Sequence, residues 1–354
     1  MKNLLKNMNK TTKNNAITYS MVIIFYIVVQ SLVTTGYISN HMKGLLVPIC
    51  VYVITAISLN LVVGISGELS LGHAGFMCVG AYTSAFFSSC VGTALPDTLR
   101  FILALLVGAC VAAVFGILIG IPVLKLRGDY LAIVTLAFGE IIKNLMNILY
   151  IGKDSAGFHF SIKDSMSLNL GEDGKVIVKG ALGITGTPKD ASFTVGIILI
   201  IVALFIVLNL VNSRSGRAIM AIRDNRIAAE SVGINVTKYK LMAFTISAAL
   251  AGVAGALYSH NYYTLTTKKF DYNTSILILV FVVLGGIGNI RGSVIAAAIL
   301  TVLPELLRGL SDYRMLIYAI ALIVMMLFNW APSAITWRAK IKAKFKSKKN
   351  KEAE

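Results

Sequence analysis

Long apolar runs recur along this chain, and ten of them approach or exceed the length needed to cross a membrane. A transmembrane helix needs about 20 mostly apolar residues. The runs fall at residues 21–39, 45–63, 68–90, 101–124, 130–151, 193–211, 241–259, 273–287, 293–308 and 313–329. This pattern predicts an all-α polytopic membrane protein with about ten transmembrane or half-spanning helices.

Three of these runs are interrupted by glycine or by charge. Residues 68–90 are rich in glycine and carry Glu68 and His73, and only the turn-like sequence GGIGNIRGS separates 273–287 from 293–308. Non-helical backbone is tolerated at membrane depth where it packs inside protein or lines a cavity. Each of the three runs is therefore a candidate half-helix or re-entrant element. The glycines between 273–287 and 293–308 favour close helix packing, with a broken helix as the alternative.

The polar segment 152–192 contains a pattern typical of β-strands. In MSLNLGEDGKVIVKG, residues 166–180, alternating apolar positions flank Glu-Asp-Gly. A turn sequence between two alternating runs indicates a hairpin. We expect a small β-hairpin at this place, outside the membrane.

Composition agrees with a membrane protein, since 56% of the residues are hydrophobic, 14% are charged and the mean hydropathy is +0.78. Soluble domains have about 25% charged residues. The four cysteines lie in or beside apolar runs without metal-type spacing, so we interpret them as small core residues. They are Cys50, Cys78, Cys90 and Cys110.

The formal net charge of +17 is concentrated in the termini and one internal loop, a distribution that indicates membrane topology rather than a nucleic-acid-binding surface. Residues 1–20, 212–240 and 338–354 contribute +14 of it, whereas 152–192 has five basic and five acidic residues. Basic residues in short loops favour the cytoplasm. With ten crossings, both termini and 212–240 are expected in the cytoplasm and 152–192 outside.

This topology divides the chain into a basic cytoplasmic N-terminus (1–20), a transmembrane domain (21–330) and a basic cytoplasmic tail (331–354). Within the domain, 152–192 is the external loop and 213–240 the main cytoplasmic loop. The tail has many like charges and few apolar anchors, so we expect it to be largely disordered.

The cytoplasmic loop SRSGRAIMAIRDNRIAAESVGINVTKYK, residues 213–240, contains start and stop signals of a short helix. Asp224 or Asn225 is suited to cap the N-terminus of a helix over 226–232, and Gly233 is suited to end it. A short capped helix between two spans has the shape of a docking element, on which small alanines would fit a partner's groove. A simple connector with cytoplasmic arginines is the alternative.

Glu140 and Lys143 are charged residues inside an apolar run. Their spacing of three places them on one helical face, where they can form an ion pair that lowers the cost of burial. The pair is either structural or part of a substrate path.

The sequence has no G-x-x-x-x-G-K-[ST] motif, so any coupling to ATP must come from a partner.

Five sequence blocks resemble the LivM-type permease subunit of bacterial branched-chain amino acid ABC importers, and together they cover roughly residues 45–330 in order. The blocks are LNLVVGISGELSLGHAGFMCVGAY (59–82), LRGDYLAIVTLAFGEI (126–141), RSGRAIMAIRDNRIAAESVGI (214–234), KLMAFTISAALAGVAGALY (240–258) and VLGGIGNIRGSVIAAAIL (283–300).

The resemblance implies a multi-pass permease of the bacterial plasma (inner) membrane that imports branched-chain amino acids. It implies four kinds of partner: a second, LivH-like permease, two cytoplasmic ATPases that use ATP, an extracytoplasmic substrate-binding protein and membrane lipid. The chain itself would be no enzyme and would hold no cofactor or metal. The stretch 155–188 is longer than the outer segment usual in the family.

The family's ATPase-coupling loop corresponds, by this resemblance, to seven positions of the chain. They are Arg223, Asp224, Asn225, Ala228, Ala229, Glu230 and Gly233.

Candidates for the translocation path come from the polar residues at membrane depth. We expect the 64–80 segment to line the path or its gate, because a half-helix N-terminus would suit a carboxylate substrate. The alternative is interior helix packing, with Glu68 capping or pairing. The candidate residues are Glu68, Ser70, His73, Gly75 and Glu140.

Other functions stay open at this point. In an ion-coupled secondary transporter, Glu68, His73 and Glu140 would carry protons and no ATPase would dock. An importer of the same type could carry urea, short amides or another small solute. A membrane-embedded enzyme or scaffold lacks support, because no reactive group of residues stands out.

Overall fold

The computed structural model of the protein describes residues 10–307 except 37, 38, 93, 127, 156, 172 and 173, together with 313, 316, 317, 319, 320 and 323. The contacts divide the chain into two compact units, Met1–Ala298 and Ile299–Glu354. The tail 331–354 and most of the apolar run 313–329 lie outside the described residues.

Eleven α-helices are present among the described residues. They are α1 (Lys10–Thr34), α2 (Asn40–Asn60), α3 (His73–Val91), α4 (Asp97–Val123), α5 (Asp129–Ile148), α6 (Phe193–Asn212), α7 (Arg214–Asp224), α8 (Arg226–Ser231), α9 (Val236–Ser259), α10 (Tyr272–Gly285) and α11 (Ile290–Leu306). A π-helical segment, Leu61–Ser66, continues α2. The predicted all-α polytopic class is confirmed.

Seven of these helices are long and apolar enough to cross a membrane, namely α1, α2 with its π-helical segment, α3, α4, α5, α6 and α9. Each coincides with a predicted apolar run. The runs at 273–308 form two shorter helices, α10 with 14 residues and α11 with 17, and Gly285 lies directly against Gly292 as the close-packing interpretation requires. At 1.5 Å per residue they span about 21 and 25 Å, less than the roughly 30 Å of a hydrocarbon core.

Polar side chains fix the starts of the five helices from α6 to α10. Each of these residues accepts a hydrogen bond from the backbone N–H three positions later, a group that has no partner within its helix. The capping residues are Ser192, Ser213, Asn225, Asn235 and Asp271.

The core of the first unit is formed by α3, α4 and α9, whose backbones approach closely where glycines meet. A Cβ on Gly80 would collide with the backbone of Gly252. Small residues permit such contacts in membrane proteins, where van der Waals packing holds helices together. Against this core lies α2, which is almost entirely buried.

A five-stranded antiparallel sheet joins the ends of three helices. Its order is β2-β1-β3-β4-β5, formed by β1 (Tyr150–Lys153), β2 (Phe158–Ser161), β3 (Lys175–Lys179), β4 (Ile184–Thr185) and β5 (Thr264–Leu265). Strand β1 follows α5, β4 precedes α6 and β5 follows α9. We call this end of the helices the sheet end. The other ends of α6 and α9 are joined by α7 and α8, and we call it the loop end.

The sheet corrects the position of the predicted hairpin. Residues Met166–Leu168 form a 3₁₀ turn, and β3 pairs with β1 rather than with the residues just before it. The hairpin is instead β1–β2, in which Tyr150 lies opposite Ser161 and Lys153 opposite Phe158. The alternating pattern in 166–180 correctly predicted a strand only at β3. A local pattern does not identify a partner strand that lies about 25 residues away in the chain.

The close contact of α3 with α9 generates a stability prediction. Gly80→Val should lower the unfolding temperature in detergent, because the added side chain forces the two backbones apart at a cost of about 1–3 kcal/mol. Gly44→Ala is the matched control, since nothing lies within 4 Å of a Cβ there. Reaction of the buried thiols of Cys50 and Cys78 with a fluorogenic maleimide would report unfolding. Equal temperatures for the two variants would contradict the packing described.

Candidate coupling and translocation sites

The short helix α8 at the loop end is closed at both ends by its own sequence. The Asn225 side chain accepts a hydrogen bond from the N–H of Ala228 at 3.0 Å. Gly233 has φ +82°, its N–H donates to the Glu230 carbonyl and that of Ile234 to the Ala229 carbonyl, both at 3.0 Å. Such paired bonds end a helix through a left-handed residue, usually glycine. The predicted helix is confirmed, with Asn225 rather than Asp224 as its cap.

The two alanines of α8 have different environments. Ala229 is only 3% exposed and packs with Ile222 and Val236 in a small core between α7, α8 and the start of α9. It therefore supports α8 from beneath instead of facing a partner. Ala228 is exposed, and near it Ile227 and Val232 are 79% and 74% exposed.

Two arginines of this loop form ion pairs with acidic residues of the same loop. Glu230 accepts a hydrogen bond from Arg226 at 2.9 Å, one turn apart on α8. Asp224 accepts two from Arg223, whose Nη1 also donates to the carbonyl of Gly64 at 3.0 Å. The loop is thus bonded to the end of α2.

Glu68 belongs to the same place. Its carboxylate forms an ion pair with Lys240 at the start of α9, and both side chains are 12% exposed. The pair lines a cavity of about 480 Å³ that the 66–68 segment shares with the loop residues 222–227, Gly128 and Glu230. The pairing alternative for Glu68 is therefore what the structure has, and its partner is a residue of the loop.

The segment from Gly67 to Gly72 is non-helical and leads from this cavity into the bundle. His73 begins α3 and is buried, with Nε2 at 2.9 Å from the hydroxyls of both Ser58 and Ser247. Ser247 lies seven residues beyond Lys240 on α9, which is about 10 Å along a helix axis. The irregular backbone expected in this stretch is present at residues 67–72.

Protein groups satisfy the start of α3. The N–H of Leu71 donates to the Thr135 hydroxyl at 3.0 Å, and that of Ala74 to the Ser275 hydroxyl at 3.1 Å. Gly75 lies directly against Gly139 of α5. Ser70 is fully buried, and its hydroxyl has no hydrogen-bond partner among the described residues.

Glu140 lies apart from the other candidates. It pairs with Lys143 at 2.8 Å, as predicted, and also accepts a hydrogen bond from the N–H of Tyr272 at 3.1 Å. The pair is partly exposed, and Ile141, next to it on α5, and Ile276, one turn after Tyr272 on α10, are exposed as well. A charged pair in such apolar surroundings is costly to place against lipid.

Sequence reasoning missed two residues that hold the candidate site together. Lys240 was counted only as a basic loop residue. Asn60 accepts a hydrogen bond from the N–H of Gly288 at 2.9 Å and donates one to Ser293 at 2.7 Å. An asparagine inside the apolar run 45–63 was the available signal.

No group of His, Cys, Asp and Glu suited to a metal occurs in the described part of the chain.

Comparison with protein families matches residues 41–328 to the family described as the permease component of branched-chain amino acid transport systems. The high-affinity branched-chain amino acid transport system permease protein LivM of Salmonella typhimurium is 37% identical over 306 residues, which are 84% of this chain and 70% of that protein. LivM of Escherichia coli is 37% identical over 294 residues, 80% of this chain and 67% of that protein.

A more distant relative is LivH, another permease protein of the same Salmonella typhimurium system. It is 24% identical over 266 residues, which are 72% of this chain and 81% of that protein. No solved structure gives a significant match.

The Glu68–Lys240 pair generates a prediction about coupling between two distant residues. Glu68→Gln or Lys240→Met should each destabilise the protein by about 3 kcal/mol, because each leaves a poorly exposed charge without its partner. The double variant should lose clearly less stability than the sum of the two single losses. Thermal unfolding of all three variants in detergent measures this difference as a double-mutant cycle.

Glu140→Gln with Lys143→Met provides the matched cycle for a more exposed pair. Its coupling energy should be no more than about 0.5 kcal/mol. Strictly additive effects at Glu68 and Lys240 would show that their ion pair does not support the fold.

Proposed function

This chain belongs to the permease-component family of branched-chain amino acid transport systems, and we propose that it is one of two permeases in an ATP-driven importer of branched-chain amino acids. The proposal that ATPases drive it is carried by one observation, the helix α8, which is capped at both ends and presents Ile227 and Val232 outward. Adjacent exposed apolar side chains rimmed by polar residues are typical of interaction sites when they form one patch.

The docking surface, in this proposal, is formed by Ile227 and Ala228 on the outer side of α8 and by Val232, the residue that follows the helix. The small core around Ala229 holds α8 against α7 and α9, so a push on α8 is passed to both. ATP is bound by two partner ATPases, since the sequence has no phosphate-binding loop of its own.

Charge supports the proposed orientation. The loop end carries the basic segment 212–240 and is assigned to the cytoplasm, together with the basic N-terminus and tail. The sheet end carries the electrically neutral segment 152–192 and is assigned to the outside. The two segments lie at opposite ends of α6 and α9, as this assignment requires.

The translocation path is proposed to lie between this chain and a second, LivH-like permease, along the exposed face of α5 and α10. Glu140, Lys143 and Tyr272 place charge and polar groups on that face, among exposed isoleucines. A second permease there would shield these groups from lipid. Ser70, His73 and Gly75 remain candidates for the inner part of the path.

The outer surface proposed for the substrate-binding protein is the edge strand β2 with the turn after it. Phe158, Phe160 and Ile162 alternate on one side of the strand, and Phe160 and Ile162 are each 67% exposed. The turn is held by a hydrogen bond from the N–H of Ser167 to the Asp164 carboxylate at 2.7 Å. Hydrogen bonds from Ser167 lower the pKa of Asp164, so this contact is retained at neutral pH.

The secondary-transporter alternative is less well supported by the same contacts. Two of its three proposed proton carriers, Glu68 and Glu140, are already bonded to lysines. A capped docking helix would also have no use without an ATPase. An importer of the same type for another small solute would differ only in its substrate. Measuring which ligand the substrate-binding protein binds distinguishes that importer from one for branched-chain amino acids.

Substitution of the α8 surface tests the function. Ile227→Asp should weaken association with the ATPases at least tenfold, because it places a charge in an apolar contact, and uptake of labelled leucine should fall in parallel. Ile227→Leu should retain both. Co-purification of ATP-binding chains with the tagged permease, followed by mass spectrometry and proteoliposome uptake, gives the two measurements.

Ala229→Arg should behave differently, since it disrupts the core beneath α8 and should lower stability as well as association. Failure of ATP-binding chains to co-purify with the unaltered protein would refute the importer. Full association of Ile227→Asp would refute this docking surface.

The outer strand generates a separate prediction. Phe160→Ser with Ile162→Ser should weaken binding of the substrate-binding protein at least tenfold while leaving membrane assembly unchanged, because both side chains are exposed and support no core. Leu182→Ser, also highly exposed at the sheet end, is the control. Surface plasmon resonance on the permease in nanodiscs measures the affinity. Unchanged affinity in the double variant would exclude β2 from the contact.

A further inference from the structure

The Arg223 side chain donates three hydrogen bonds, more than the structure gives for any other described arginine of the 213–240 loop. Its Nε and Nη2 donate to one oxygen of Asp224 at 3.0 and 2.8 Å, and its Nη1 donates to the Gly64 carbonyl at 3.0 Å. The side-chain stem lies against Gly67, where an added Cβ would come within 2.6 Å of the Arg223 Cγ. One side chain therefore contacts both ends of the 64–67 segment.

The carbonyl that Arg223 reaches belongs to the end of a membrane-embedded helix. The π-helical segment ends at Ser66, and the carbonyls of the last turn of a helix lack partners within it. An arginine at this position also has the favourable charge for a helix C-terminus. Asp224 accepts hydrogen bonds from Nε and Nη2 of Arg223, which orients Nη1 toward the Gly64 carbonyl.

The 60–68 segment is bonded onward into the bundle. Gly64 lies against Gly288, whose N–H donates to Asn60 at 2.9 Å. That asparagine donates to Ser293 on α11 at 2.7 Å. On the other side, Glu68 is paired with Lys240 on α9. A displacement of α7 thus reaches the turn between α10 and α11 through direct contacts.

We propose that Arg223 is a positioning residue that transmits movement of α8 to the 60–68 segment, and through it to the α10–α11 turn. This inference rests on the proposed function, in which ATPases move α8. It assigns Arg223 a contact within this chain, where the family resemblance alone suggested an ATPase contact. The role is mechanical, since Arg223 joins a docking element to a membrane element.

Arg223→Lys tests the proposal. Lysine keeps the positive charge but lacks the planar fork that holds Asp224 and Gly64 together. The ATPases should co-purify as with the unaltered protein and ATP hydrolysis should persist, while leucine imported per ATP hydrolysed falls about tenfold, as expected for one lost charge-assisted hydrogen bond. Arg217→Lys is the control, because that guanidinium bonds only the nearby Asn212 carbonyl among the described contacts, at 3.3 Å.

Gly67→Ala tests the same contact from the membrane side and alters no residue of the docking loop. The added Cβ displaces the arginine stem, and φ +75° at this position disfavours alanine. It should reproduce the fall in leucine per ATP. This second variant keeps the test valid if Arg223→Lys assembles poorly.

The outcomes separate the two proposals. An unchanged ratio of leucine to ATP in both variants overturns the role of Arg223. Loss of ATPase association in Arg223→Lys, with Gly67→Ala unaffected, also overturns it and makes Arg223 an ATPase contact. Absence of ATPases from the unaltered protein refutes the proposed function itself.

Discussion

The constraint on which this structure depends is that a backbone N–H or carbonyl at membrane depth must be bonded inside the protein. At several breaks among the described helices, a side chain from another element bonds one of these backbone groups. Thr135 binds the N–H of Leu71, and Asn60 that of Gly288. Glu140 and Arg223 bind backbone groups of Tyr272 and Gly64 in the same way. The breaks are thereby the places where separate helices are tied together.

Local patterns in the sequence predicted what local physics decides. Apolar runs located the seven helices that are long and apolar enough to cross a membrane, the caps of α8 were identified from Asn225 and Gly233, and the Glu140–Lys143 pair followed from helical spacing. All of these depend on residues no more than one helix apart. The signals were strong because a membrane leaves few alternatives to a capped, apolar helix.

Long-range contacts were beyond the same reasoning. Glu68 and Lys240 are separated by 172 residues, and β3 pairs with the distant strand β1 rather than with the residues just before it. Ala229 was grouped with Ala228 by its size, although the turn of the helix buries one and exposes the other. In each case the missing information was which surface of one element faces another, which a single sequence does not state.

The small sheet has a mechanical consequence for the helices below it. Strand β1 follows α5, β4 precedes α6 and β5 follows α9, and all three strands are hydrogen-bonded within one sheet, which limits how far these helix ends can separate. If a helix is clamped at one end, its tilt displaces the free end most. We expect the sheet to act as a fulcrum, because a tilt that barely alters the helix spacing beside it would change the spacing most at the far end, where Arg223 and Lys240 lie.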